Sequence, residues 1–194
     1  MQYIIVSDIF GKTAHLTHFA RQFQDTSILV DPYQGQLQAV IDERQQYEVF
    51  MDKCGHDQYL KKLNCILSRV AKPTTLIGFS AGGAAAWRSQ AAVKNPQIKK
   101  LVAFYPNQVR HYLDVDANME CEFIFAKQEA HFDVLSIATR LAEQAKVTCQ
   151  LVDYGHGFMN PLSQCFDSVA YQQYSEYLIG ENNRQLMTEL PTLS

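Results

Sequence analysis

Cationic residues are in the minority: 17 Lys and Arg stand against 20 Asp and Glu, a formal net charge of −3. Such a balance lacks the basic footprint that a nucleic acid backbone requires, so no nucleic acid partner is expected. Long apolar runs are missing as well. The first hydrophobic stretch, "QYIIV", is far too short to span a bilayer and no cationic leader precedes it. Neither a signal peptide nor a membrane helix is expected, and the reading is a cytoplasmic protein that does not engage a membrane. Cysteine is scarce, odd in number and scattered: Cys54, Cys65, Cys121, Cys149 and Cys165, with no CxxC spacing. That argues against a disulfide framework or a zinc site and for reduced thiols. Cys121 and Cys149 lie in apolar strand-like runs, where they pack as small hydrophobes. There is no internal repeat and no low-complexity linker.

Two ligand motifs are also missing. "FGKT" (10–13) follows a strand pattern, but a phosphate loop needs glycine where Val6 stands, and Asp8 would repel a phosphate. Gly78, Gly82 and Gly83 do not fit G-x-G-x-x-G. His15 and His18, or Glu129, His131 and Asp133, have metal-like spacing without a second ligand cluster. Neither metal nor cofactor is expected.

What is present is a chain of 194 residues, 47% hydrophobic and 19% charged. This suits one globular domain over residues 1–180, followed by a polar tail over 181–194. Strand-like runs alternate with helical patterns: "YIIVS", "SILV", "TTLIGF", "KLVAFY", "CEFIFA" and "VTCQLV". A long polar connection follows Asp31-Pro32. Leu60, Leu63, Leu67 and Val70 then mark a helix, and Phe166, Val169, Ala170, Tyr174 and Tyr177 mark the last one. Alternation of this kind predicts a mostly parallel sheet covered on both faces, a three-layer α/β/α sandwich. Sites in such sheets form just beyond the carboxyl ends of the strands.

One of those ends carries "TTLIGFSAGGAAAW" (74–87). Gly78-Phe79-Ser80-Ala81-Gly82 fits G-x-S-x-G, a sharp strand-to-helix elbow that exposes a serine hydroxyl at the positive end of a helix. The plainer role for Ser80 is a helix N-cap. Serine is a weak nucleophile without a base. Of six histidines, only His156 follows the last strand, in "VDYGHGFMNP", between two glycines that let the loop approach the elbow. His131 is its main competitor. The acid that orients the base is expected after the fifth strand, where "FIFAKQEAHFDV" offers Glu129 and Asp133. Position favours Glu129 in the loop itself, while Asp133 stands where a helix cap is expected. The N–H groups of Ala81 and Ile9, the latter in the loop after the first strand, are the expected oxyanion donors.

Together these motifs resemble the dienelactone hydrolase family of the α/β-hydrolase superfamily, from about residue 3 to 178. "SDIFG", "LVDPYQG", "GFSAGG", "FIFAKQE" and "GHGF" carry the likeness in order, and the last is the most distinctive. The resemblance implies an α/β-hydrolase fold reduced to about six strands in the order 2-1-3-4-5-6. The family's Cys, Asp and His triad and its Glu in the first loop map onto Ser80, Glu129, His156 and Asp8. Serine at the elbow suits a hydrolase of small carboxylic esters, lactones or thioesters working through an acyl-enzyme. A binding module of the same fold without catalysis is the alternative. Only about fourteen residues, Asn107 to Glu120, separate the fourth and fifth strands, too few for a lid domain, so an open pocket is expected. Asp8, Phe10, Tyr33, Phe79, Tyr105 and Phe158 are candidates to line it, with Arg110, His111 and Tyr112 at its edge.

Overall fold

In the computed structural model, residues 2–23, 27–39, 42–127, 129 and 132–180 are described. The tail from 181 onward, and with it the expectation of a separate polar segment, lies outside them, as does His131.

The elements follow in the order β1 (Gln2–Val6), α1 (Ala14–Arg21), β2 (Ser27–Val30), α2 (Glu43–Lys53), α3 (Gly55–Leu67), β3 (Thr74–Phe79), α4 (Ala81–Val93), β4 (Ile98–Phe104), β5 (Glu120–Ala126), α5 (Val134–Ala142), β6 (Val147–Val152) and α6 (Ser168–Ile179). The six strands form one sheet in the order β2-β1-β3-β4-β5-β6, and every neighbouring pair is parallel. This is the expected order.

Apolar residues occupy both faces of each central strand, as a sheet covered on two sides demands. Ile4, Leu76, Leu101 and Phe123 face one way, into a core with Tyr59, Leu63 and Trp87. Ile5, Ile77, Val102 and Ile124 face the other way, against Phe19 of α1, Phe23 just beyond it and Tyr174 of α6. Helices α2 to α5 thus cover one face, and α1 and α6 the other.

Two local readings need correction. The polar connection after β2 contains helix α2, capped by the Asp42 side chain, which accepts from the Gln45 N–H. Only Gln46 and Phe50 of this helix are buried, so it carries almost no apolar periodicity to read. The helix before β3 ends at Leu67, and its inner face is Tyr59, Leu63 and Leu67 rather than a stripe that runs on to Val70. Likewise, the last helix begins after Phe166 and leaves Val169 exposed. Among the described residues no helix is long and apolar enough to cross a membrane.

Strand order reverses at β1, which pairs β2 on one side and β3 on the other. The residues just beyond β1 and β3 therefore open onto a common crevice.

Candidate active site

Strand β3 ends at Phe79 and helix α4 begins at Ala81, so Ser80 alone makes the turn. Its backbone is forced to φ 48° and ψ −115°, a conformation that costs a non-glycine residue roughly 1–3 kcal/mol. Two glycines make the elbow sterically possible. A Cβ on Gly78 would sit 2.6 Å from the Gly83 Cα, and one on Gly82 would sit 2.3 Å from the Ser7 carbonyl oxygen. The start of α4 is thereby pressed against the ends of β1 and β3. The Ser80 side chain does not cap the helix. Instead its Oγ lies 3.0 Å from Nε2 of His156.

His156 comes from the loop after β6. Gly157, at φ +88°, lets that loop fold tightly; a Cβ there would meet the Ser163 Oγ at 2.4 Å. The same Ser163 hydroxyl donates to the His156 carbonyl at 3.1 Å, which holds the loop in place. The imidazole's other nitrogen, Nδ1, lies 2.6 Å from Oε1 of Glu129. Glu129 is pinned by an isolated bridge to Phe132 and its side chain is 9% exposed, against 30% for His156. A buried carboxylate at that distance fixes Nδ1 as the protonated nitrogen and leaves Nε2 free to accept from Ser80. Asp133 stands apart on the surface: it caps α5, accepting from the Leu135 N–H at 3.1 Å.

Ile9 and Ala81 line the same cavity as Ser80 and His156. Ala81 N–H belongs to the first turn of α4, whose donors have no partner within the helix. Asp8 also reaches this cavity. Its carboxylate accepts from the Phe10 N–H at 2.9 Å and from Asn160 Nδ2 at 2.6 Å. Burial pushes its pKa up to about 6, against the pull of these two hydrogen bonds.

The cavity holds about 440 Å³. Phe10, Tyr105 and Arg110 border it as expected, and Tyr105 packs its ring 5.0 Å from that of His156. Tyr33, Phe79 and Phe158 do not. Tyr33 lies under the loop after β1, with its hydroxyl turned onto the Ile9 carbonyl. Phe79 stacks on Phe104 within the core and borders only a much smaller void beside Asp8. Phe158 is fully buried between Phe104 and Tyr174. His111 and Tyr112 are also outside the wall, where the segment after β4 supplies Asn107, Gln108 and Arg110 from a single 3-10 turn (Asn107–His111). The residues that sequence reasoning missed are Glu43, Arg44 and Tyr47 of α2, His56 of α3 and Ser163 of the segment after β6. Asp42, an N-cap residue type ahead of Phe50, was the available signal for that helix. Among the described residues no group of three His, Cys, Asp or Glu is placed to hold a metal ion.

The fold is shared with solved α/β-hydrolases. A dienelactone hydrolase-like promiscuous phosphotriesterase from metagenomic libraries superposes with a TM-score of 0.63 at 14% identity, over 97% of this chain and 86% of that one. The mouse α/β hydrolase domain-containing protein 10 gives 0.62 at 11% identity, over 91% and 87%. A lipase-esterase related protein from Clostridium acetobutylicum gives 0.59 at 12% identity, over 91% and 92%. No curated protein matches the chain. Residues 3–189 match the model of the dienelactone hydrolase family, and with the elbow, the histidine loop and the strand order described above the chain belongs to that family of hydrolases.

Proposed function

We propose that this chain is a serine hydrolase that cleaves a small carboxylic ester, lactone or thioester. The observation that carries the reading is the unbroken relay from Ser80 Oγ to His156 Nε2, 3.0 Å, and from His156 Nδ1 to Glu129 Oε1, 2.6 Å. In this mechanism His156 takes the Ser80 proton as Oγ attacks the substrate carbonyl carbon. The carbonyl oxygen becomes an oxyanion and accepts from the Ile9 and Ala81 N–H groups. His156 then passes its proton to the leaving alkoxide or thiolate, and an acyl-Ser80 ester remains. Water, deprotonated by His156, attacks that ester and releases the acid, which returns Ser80 to its starting state. Glu129 supports the imidazolium in both half-reactions.

A cavity of about 440 Å³, bordered by the short turn after β4 and by α2, suits a small acyl or alcohol group in an open site. Five free cysteines, three of them buried, agree with a reducing, cytoplasmic setting. The test is a fluorophosphonate probe followed by a panel of acyl esters graded by chain length. Ser80 should be labelled stoichiometrically, and Ser80→Ala should not be labelled. A binding module without catalysis would leave Ser80 unlabelled and every ester intact.

A further inference from the structure

The N–H of Ile9 shares a peptide plane with the carbonyl of Asp8. That bond is trans, so the two groups point in opposite directions, and whatever holds the carbonyl also aims the N–H. The Asp8 carbonyl accepts from the Ser7 hydroxyl at 3.0 Å and from the Gly11 N–H at 3.2 Å. The next peptide plane is held still more firmly. The Ile9 carbonyl accepts from the Tyr33 hydroxyl at 2.5 Å and from Gln46 Nε2 at 3.0 Å. Gln46 Nε2 also donates to the Tyr33 oxygen at 2.9 Å, which closes a triangle.

The two outer members of this triangle come from elsewhere in the chain. Tyr33 is set by the turn after β2, where the Asp31 carboxylate accepts from the Tyr33 and Gly35 N–H groups at 2.8 and 2.9 Å. Gln46 comes from α2. It is 1% exposed on a helix whose other glutamine, Gln45, is exposed. Burying an amide there is unfavourable unless it is spent on specific hydrogen bonds, and the two acceptors of its Nε2 both belong to this triangle.

We propose that Tyr33 and Gln46 are positioning residues that clamp the loop after β1 and keep the Ile9 N–H aimed at the oxyanion. The proposal rests on the serine hydrolase reading given above. An oxyanion donor lowers a barrier only if its orientation is fixed before the charge develops. With the Ile9 carbonyl released, the loop's peptide planes can rotate and the N–H loses its aim. Neither side chain needs to touch substrate to have this effect.

The test uses Tyr33→Phe and Gln46→Met, each of which removes the donor and keeps the bulk. With an ester turned over by the wild-type protein, kcat should fall by about 10- to 100-fold while KM changes by less than about twofold. Affinity for a trifluoromethyl ketone, which forms a tetrahedral adduct, should fall in parallel with kcat/KM, while affinity for the product acid stays level. Gln90→Met, which removes a buried amide that holds the Asp116 carbonyl at 2.8 Å, serves as a stability control and should leave kcat unchanged. The clamp is overturned if Tyr33→Phe and Gln46→Met keep wild-type kcat and ketone affinity, or lose no more than the control does. Ser80→Ala, run alongside, separates the two levels: if it retains turnover, the hydrolase reading fails, whatever the clamp variants do.

Discussion

Asn160 donates to the Asp8 carboxylate across 2.6 Å, and this one hydrogen bond ties the loop after β1 to the loop that carries His156. The pairing has a pH dependence with a definite sign. The Asp8 pKa is raised from 3.8 to about 6 on folding, so the folded protein holds this proton more tightly than the unfolded chain does. Stability is therefore fully present below about pH 4 and falls as the pH climbs through about 6, by up to about 3 kcal/mol from this group. Asp8→Asn removes the titration. Urea melts of both proteins from pH 4 to 7 should show the variant gaining on the wild type as the pH rises. A constant difference would mean that Asp8 titrates as an ordinary carboxylate.

The elbow trades stability for exposure of the hydroxyl. Ser80→Ala keeps the strained backbone and should lower kcat by roughly 10³-fold or more. Ser80→Gly abolishes activity just as fully but relieves the positive φ, and should be more stable than Ser80→Ala by about 1 kcal/mol. Chemical denaturation of the pair reads this directly. Equal stabilities would show that φ 48° carries no strain here.

Space at Gly82 is the second condition for the elbow. An added methyl group would lie 2.3 Å from the Ser7 carbonyl, which is backbone and cannot swing aside. Gly82→Ala should cost about 2 kcal/mol or more and move Ser80 out of line with His156. A folded variant with wild-type turnover would contradict that packing.

The two carboxylates of the loop after β5 should separate cleanly in mutants. Glu129→Gln is expected to cut kcat by roughly 10²- to 10⁴-fold with a modest change in KM, because in the proposed mechanism the carboxylate supports the imidazolium formed as Ser80 attacks. Asp133→Asn keeps an N-cap side chain and should leave the kinetics as they are, while Asp133→Ala should lower the melting temperature by loss of the cap. Steady-state kinetics with thermal melts decides the matter, and a large kcat loss confined to Asp133→Asn would reverse the assignment.

The parts of this molecule that could be read from sequence are those whose signal is local. Strands β3 and β6 match "TTLIGF" and "VTCQLV" residue for residue, because both are rich in β-branched and apolar residues with a turn or helix start directly after. Ser80, His156 and Glu129 were legible because each follows a strand end, and in a parallel sheet all strand ends face the same side. The cavity wall was legible only in part: Asp8, Phe10, Tyr105 and Arg110 border it, but the side made by α2 was not foreseen. Helix α2 turns a glutamine inward where a periodicity argument looks for a leucine, and that glutamine makes sense only beside a carbonyl 37 residues away. Phe158 was misplaced for a related reason: Gly157 reverses the chain just before it, so the ring goes into the core under α6 instead of into the opening.

Helix α2 divides its surface between two duties. Gln46 and Phe50 face the protein, while Glu43, Arg44 and Tyr47 border the cavity and are exposed, Tyr47 with its ring beside Phe50 and His56. Ser80, Glu129 and His156, the groups of the proposed reaction, instead come from the segments that follow β3, β5 and β6. Substitutions at 43, 44 and 47 can therefore retune which molecules are accepted without rebuilding the reaction centre, provided that 46 and 50 are left alone. In the proposed reaction α2 thus offers three cavity positions at which preference can drift, while Gln46 and Phe50 keep the helix seated.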